Sequence, residues 1–359
     1  MNFNAFEPGV LIYTIYFFLL LFVTFARYNK SNKENKKYFI FFVLLQVLIG
    51  GLRSFTVGTD TGSYVHSIQM YSTFSNDEIL EHRAGRDPYF YLFTKLITNF
   101  FDSYTGLFFV LQIIFWGLVA STLYKYSKSC LLALMLLVAF RQNYFALSGM
   151  RQGIAMALIL FSYRYLESRK MIKYFVTIVV AFLCHQSAII FIPIYFVYGR
   201  RLNKWSLIIL ILVLAIGSSF VLPDISFDEE LTYAGYLQIE NKGNFFSLFT
   251  ITLAFIFILI RIHKMKLDEE MNFLFSLSLF AFAISLMAIN LDIAYRIAAY
   301  FCMFMPIFMS NLLVERKNHQ QDVAILLIIL IIIYIVTGMP PGLDDYKFFW
   351  ETNFMDYQS

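Results

Sequence analysis

The chain has 359 residues, 59% hydrophobic and 14% charged, where an average soluble domain has roughly 45–50% and about 25%. Charge this sparse cannot cover a soluble surface, so the composition reads as an all-α polytopic integral membrane protein. The net charge of +4, spread over short loops, excludes a nucleic-acid-binding stripe. The 3 cysteines, Cys130, Cys184 and Cys302, lie inside apolar runs, which excludes a disulfide framework.

A membrane-crossing helix needs about 20 mostly apolar residues. In chain order, the runs that suit one are Val10–Ala26, Tyr38–Leu52, Tyr104–Leu123, Cys130–Leu147, Gly153–Leu166, Trp205–Leu222, Phe245–Ile260, Met271–Leu291, Ile293–Leu313 and Val323–Gly338. The first is preceded by Glu7 and by no Lys or Arg, so it reads as a span and not as a cleavable signal. A further run, Tyr174–Val197, is interrupted by Cys184-His185-Gln186-Ser187 and by Pro193. The expectation is about 10–12 transmembrane helices in one domain over 1–359, with outer loops at 53–103 and 223–244 and an outer tail at 339–359.

Short basic loops stay on the cytoplasmic side. Arg27–Lys37 is the most basic loop, so it is inside and the N-terminus outside. If Tyr174–Val197 crossed once, the Arg200-Arg201 loop would fall outside and the acidic 223–244 segment inside. If instead that run enters and returns near His185, every loop obeys the rule. A broken, re-entrant segment is tolerated where protein or a wet cavity surrounds it.

The outer side then holds few basic residues. Arg53 follows the second span. Arg141 lies near the outer end of its apolar run, Arg151 opens a helix in Ser148-Gly149-Met150-Arg151-Gln152-Gly153, and Arg296 sits a turn into another span. Free N–H groups at a helix start favour an anion, and guanidinium forks match phosphate oxygens. The plainer alternatives are a helix pair between Asp292 and Arg296 and snorkelling. Asp60, in Gly58-Thr59-Asp60-Thr61-Gly62, could accept a hydroxyl proton or merely shape an Asx-turn. His185 could carry a proton or brace the broken helix. The five histidines show no paired metal-ligand spacing, and Asp60 is flanked by threonines instead of carboxylates. No metal and no cofactor is expected.

The stretches Gly51-Leu52-Arg53, Val57-Gly58-Thr59-Asp60-Thr61 with Tyr64, Met150-Arg151-Gln152-Gly153-Ile154-Ala155, His185-Gln186-Ser187-Ala188 and Tyr295-Arg296-Ile297-Ala298-Ala299-Tyr300-Phe301 occur in that order. Together they resemble the EpsG family of Wzy-type polysaccharide polymerases. The resemblance implies a multi-pass protein of the bacterial plasma membrane, similar in architecture to GT-C-like lipid-dependent glycosyltransferases. It implies an enzyme that joins undecaprenyl-pyrophosphate-linked oligosaccharide repeat units on the outer face, beside membrane lipid and partner proteins such as a flippase and a chain-length regulator. By position it makes Arg151, Asp60 and His185 catalytic candidates, with either Asp60 or His185 as base. Arg53, Thr61, Tyr64, Gln152 and Arg296 become candidates for contacting pyrophosphate or glycan.

Three other readings compete. An O-antigen ligase differs in its acceptor. A lipid-linked glycan transporter or flippase would need a path open to both faces in turn. A membrane acyltransferase would want an acid beside its histidine, and His185 has none near it in sequence.

Overall fold

In the computed structural model, residues 8–83, 87–101, 103–199, 237–262, 265–288, 292–315, 319–338, 342–343 and 346–352 are described. They are helical apart from turns, short 3₁₀ segments and one isolated β-bridge. Two compact units result, one of residues 1–196 with 338–359 and one of residues 197–337.

The first unit contains α1 (Pro8–Arg27), α2 (Asn32–Gly51), α3 (Thr61–Ser72), α4 (Asn76–His82), α5 (Pro88–Phe101), α6 (Tyr104–Tyr126), α7 (Cys130–Ala139), α8 (Tyr144–Leu147), α9 (Met150–Glu167), α10 (Met171–Cys184) and α11 (Ile194–Val197), the last ending at the boundary between the units. The second contains α12 (Leu237–Ile262), α13 (Glu269–Met287), α14 (Asp292–Cys302), α15 (Met305–Val314) and α16 (His319–Thr337). Five helical stretches among the described residues are long and apolar enough to cross a membrane: Gly9–Arg27, Tyr104–Tyr126, Glu269–Met287, Ala294–Val314 and Gln320–Thr337. The chain is a multi-pass membrane protein. The expected span Trp205–Leu222 and most of the 223–244 loop lie outside the described residues.

Capping explains the turns at one end of the first unit. Ser31 caps α2 in a reciprocal box with Glu34, the Glu34 carboxylate accepting from the Ser31 N–H at 2.9 Å. Asn32 then ties this turn to the α6–α7 turn. Its amide donates to the Ser127 carbonyl at 2.6 Å, and its oxygen accepts from the Cys130 N–H at 2.8 Å. The end of α9 joins them, because the Tyr126 hydroxyl donates to Glu167 at 2.9 Å and Arg164 to the Ser121 hydroxyl at 3.0 Å. Three basic loops therefore share one end, as the charge pattern predicts.

One expected single span is broken, and a second keeps its length as the stretch Ala294–Val314 but is bent by a turn. Cys130–Leu147 stops at Ala139, because Arg141 adopts φ +58° and closes a Schellman cap. The Arg141 N–H donates to the Val138 carbonyl at 2.9 Å and the Gln142 N–H to the Leu137 carbonyl at 3.1 Å. The polar run Arg141-Gln142-Asn143 thus turns the chain, leaving α7 as a ten-residue buried rod of about 15 Å, half of a bilayer crossing. Ile293–Leu313 is interrupted after Cys302, and Pro306 starts α15 where a missing N–H costs least. The expected loop over 53–103 is itself mostly helical, forming α3, α4 and α5.

The break at His185 is present. Helix α10 ends at Cys184, His185 is extended at φ −157° and ψ 121°, and a 3₁₀ segment runs Gln186–Phe191. The chain then returns toward the start of α10. The Tyr174 hydroxyl donates to the Phe191 carbonyl at 2.6 Å, and the Tyr195 hydroxyl to the Arg169 carbonyl at 3.1 Å. Tyr195 packs on the rings of Tyr174 and Phe175 at 5.3 and 5.5 Å. A helix of 14 residues rises only ~21 Å, shorter than the roughly 30 Å of a bilayer core, as the expected re-entrant segment requires.

In the second unit, Asp268 caps α13 by accepting from the Met271 N–H at 2.7 Å. Arg261 at the end of α12 pairs with Asp322 at the start of α16 at 2.8 Å. Phe255 stacks on Phe282 at 4.5 Å.

Candidate functional site

Two neighbouring arrangements in the first unit hold the candidates from the motifs other than Arg296. The first surrounds Arg53, which is fully buried. Its guanidinium donates to the carbonyl of Gly50 and, at 2.8 Å, to that of Leu147. It also lies 4.3 Å over the Phe108 ring. Burial pushes its pKa down to about 10, so it stays a cation at neutral pH. Arg53 is thus occupied with the backbone that ends α2 and precedes α9.

The Thr59-Asp60-Thr61 turn is built on the same frame. Gly58 takes φ +98°, a conformation that glycine adopts without strain. Thr61 is buried and donates to the Val57 carbonyl at 2.7 Å. The Ser148 hydroxyl bridges Thr59 Oγ1 at 2.8 Å and the Asp60 N–H at 3.1 Å. Asp60 stands before α3, and its carboxylate makes no cap hydrogen bond to that helix. It remains partly exposed.

The second arrangement is centred on Asp87, which the motif analysis did not single out. Its side chain is 5% exposed. One carboxylate oxygen accepts from Arg151 Nη1 at 2.9 Å and meets His185 Nδ1 at 3.0 Å. The other accepts from the Gln186 N–H at 3.1 Å. A carboxylate only accepts, so Nδ1 carries the proton and, in the neutral ring, Nε2 is left as the acceptor. His185 Nε2 makes no hydrogen bond among the described residues, and the ring is 19% exposed. A histidine oriented by a carboxylate with its far nitrogen open is arranged as a general base.

Local folding explains why these groups meet. Asp87 has φ +58° and precedes Pro88, the first residue of α5. That left-handed conformation is tolerated by aspartate but carries strain. The break after α10 frees the Gln186 N–H from helical bonding and turns it toward Asp87. Arg151 lies in the first turn of α9, where Gly153 allows the approach of the preceding chain: a Cβ there would sit 2.6 Å from the Phe145 carbonyl oxygen.

Arg151 is a positioned cation. Besides Asp87, it donates from Nε to the Tyr64 hydroxyl at 3.2 Å and lies 5.6 Å over the Tyr64 ring. Gln152, next in α9, is buried. Arg296 sits in α14 of the second unit and is partly exposed. Its expected partner Asp292 has a side chain outside the described residues. Among the described residues, no three His, Cys, Asp and Glu side chains are grouped to share a metal ion.

Of the residues expected from sequence, the fold brings Arg151 and His185 together through Asp87, with Tyr64 joined to them through Arg151. It puts Thr59, Asp60, Thr61 and Arg53 in an adjoining layer around Ser148 and Leu147. The sequence signal for Asp87 was Asp-Pro ahead of an apolar run, which marks a helix start and carries no hint of a partner 98 residues away.

No curated protein and no solved structure matches the chain. The EpsG family model matches residues 36–359, and the chain belongs to that family, which is associated with polysaccharide polymerases and so with polysaccharide biosynthesis at a membrane.

Proposed function

We propose that the protein is a polysaccharide polymerase, a glycosyltransferase that joins lipid-pyrophosphate-linked repeat units on the outer face of the bacterial plasma membrane. The observation that carries this reading is the single Asp87 oxygen shared by His185 Nδ1 and Arg151 Nη1. A base and a cation are held together there, which is what a hydroxyl displacing an anionic leaving group requires. In the proposed step, the acceptor hydroxyl oxygen bonds to the anomeric carbon of the donor sugar. Its proton passes to His185 Nε2. The bond to the pyrophosphate oxygen breaks, and the leaving group departs with the electron pair. Arg151, at a helix start, stabilises the developing charge, while Asp87 keeps the imidazole in the right tautomer. The displacement is in line, so the anomeric configuration inverts. Asp60, whose N–H donates to the Ser148 hydroxyl at 3.1 Å, is assigned to shaping the turn before α3.

A second reading deserves one test. The objection to an acyltransferase was that His185 lacked an acid, and Asp87 supplies one. Membership of the EpsG family favours the polymerase.

Deletion of the gene, complemented with wild type, His185→Ala or Asp87→Asn, separates the two readings. The polymerase predicts loss of the glycan ladder, with single lipid-linked units accumulating outside the membrane. His185→Ala leaves that loss unrepaired although the protein is present. A ladder of normal length that lacks only acyl groups would establish the acyltransferase. Units trapped on the inner face would establish a transporter.

A further inference from the structure

Arg83, at the end of α4, is a cation whose side-chain contacts among the described residues are with aromatic rings. Its N–H bonds back to the Ile79 carbonyl at 3.0 Å, but its guanidinium makes no hydrogen bond or ion pair among the described residues. Its Nε is buried and unsatisfied. Two aromatic faces hold it, Tyr91 at 4.1 Å and Tyr71 at 5.5 Å from the guanidinium carbon. These rings are fixed in turn: Tyr71 meets Tyr91 edge-on at 5.2 Å, and the Tyr71 hydroxyl is 3.1 Å from His82 Nδ1. A buried N–H left unsatisfied is costly, and stacking alone does not offset it. Such a group points to a ligand.

The same Tyr91 ring locates Arg83 relative to the proposed catalytic group. The Arg151 guanidinium carbon is 5.7 Å from the Tyr91 centroid, so the two guanidinium groups cannot be farther apart than those two lengths combined. Arg151 has Asp87 beside it to balance its charge; Arg83 does not. Two forked cations near one ring, only one of them with a carboxylate partner among the described residues, suit a ligand with two linked anionic centres.

We propose that Arg83 binds the second phosphate of a diphosphate-bearing ligand whose first phosphate lies at Arg151. This deepens the polymerase reading and rests on it for the identity of the donor, since a lipid-linked pyrophosphate would span the two arginines. Arg83 acts in binding, as an anchor for the group that leaves. Guanidinium forks grip phosphate bidentately, and a lysine at the same place supplies charge without the fork.

The test is titration calorimetry on the purified full-length protein in lipid nanodiscs, with inorganic pyrophosphate and orthophosphate as probes. Wild type should bind pyrophosphate more tightly than orthophosphate. Arg83→Gln should weaken pyrophosphate about tenfold while changing orthophosphate, held by Arg151, less than about twofold. Arg83→Lys should fall between. Equal weakening of both anions would mean that Arg83 only braces the Tyr91 region, and would overturn the proposal. So would unchanged pyrophosphate binding, or none by the wild type. Geranyl diphosphate and uridine diphosphate then compete against pyrophosphate. Tighter binding of either supports the site, the first naming a prenyl carrier and the second a nucleotide sugar as its source. Because these readouts are binding constants, they stand or fall separately from the polymerase reading, which fails if Asp87→Asn still makes a ladder.

Discussion

An aspartate that accepts from a guanidinium, an imidazole and a backbone amide has most of its acceptor sites committed to the protein. Its contribution is to fix the imidazole, which makes the isosteric amide an informative change. Asp87→Asn turns one acceptor oxygen into a donor facing N–H groups, so the histidine tautomer reverses or the ring swings away. The expected result is a fall in turnover of about a thousandfold or more, the scale seen when a catalytic histidine loses its orienting carboxylate, with donor affinity changed far less. Arg53 differs in kind from Arg151. It is fully buried on carbonyls of the frame, so Arg53→Gln should lower thermal stability by on the order of 2–3 kcal/mol, read as the melting of the protein in detergent. A normal melting temperature with lost pyrophosphate binding would instead return Arg53 to the ligand site. Both arginines stood out in the sequence, since each is a charge at the end of an apolar run. Which one holds backbone and which one faces the base depends on contacts 94 and 64 residues distant, which spacing along the chain does not encode.

At the scale of elements, the tail after α16 is a strap. Arg53 and Phe348 form an antiparallel bridge, with the Ser54 N–H on the Lys347 carbonyl at 2.8 Å and the Phe349 N–H on the Leu52 carbonyl at 2.9 Å. The Gly58 N–H donates to the Gly342 carbonyl at 2.9 Å. Tyr346 and Leu343 are buried in a cluster with Tyr13, Val57 and Leu147, and the Tyr346 hydroxyl reaches the Ile49 carbonyl at 2.7 Å. The strap therefore clamps the Arg53–Asp60 loop, on which Ser148 and the start of α9 depend. Ending the chain after Pro341 should abolish the glycan ladder although the protein still inserts, whereas Tyr346→Phe, which removes one hydrogen bond worth about 1 kcal/mol, should leave a ladder of reduced intensity. An undiminished ladder from the truncated chain would show that the strap carries no function. From the sequence this segment read only as a polar and aromatic outer tail, because a few aromatic residues outside any apolar run give no periodic signal. The break at His185 was legible for the opposite reason. A polar tetrapeptide inside an apolar run, with Pro193 beyond it, leaves a continuous helix unsatisfactory, and the charge parity of the flanking loops says which way the chain must turn.

At the scale of the molecule, the distribution of Lys and Arg makes a geometric claim that the first unit meets in part. The turns at 28–31, 125–129 and 168–170 are drawn to one end by Asn32, Tyr126 and Arg164, and the segment after His185 comes back to Arg169 at that end. Insertion keeps short basic loops in the cytoplasm, so the prediction is that this end is inside and that the α3–α5 layer, with Asp87 at its heart, faces outward. Single cysteines at Asn29, Ser168, Thr73 and Asn203, in a chain whose own 3 cysteines are changed to alanine, test this with a membrane-impermeant maleimide. Asn29 and Ser168 are exposed at the basic end and Thr73 is exposed after α3; Asn203 lies outside the described residues, directly beyond the returning segment. Thr73→Cys should label in intact cells. Asn29→Cys and Ser168→Cys should label only after the membrane is opened. Asn203→Cys decides between a hairpin and a crossing, since a segment that returns delivers it to the side of Ser168 and one that crosses delivers it to the side of Thr73. Labelling of Asn203→Cys from outside would put His185 midway along a crossing helix pair and would remove the argument that its open nitrogen belongs to a pocket entered from the outer face.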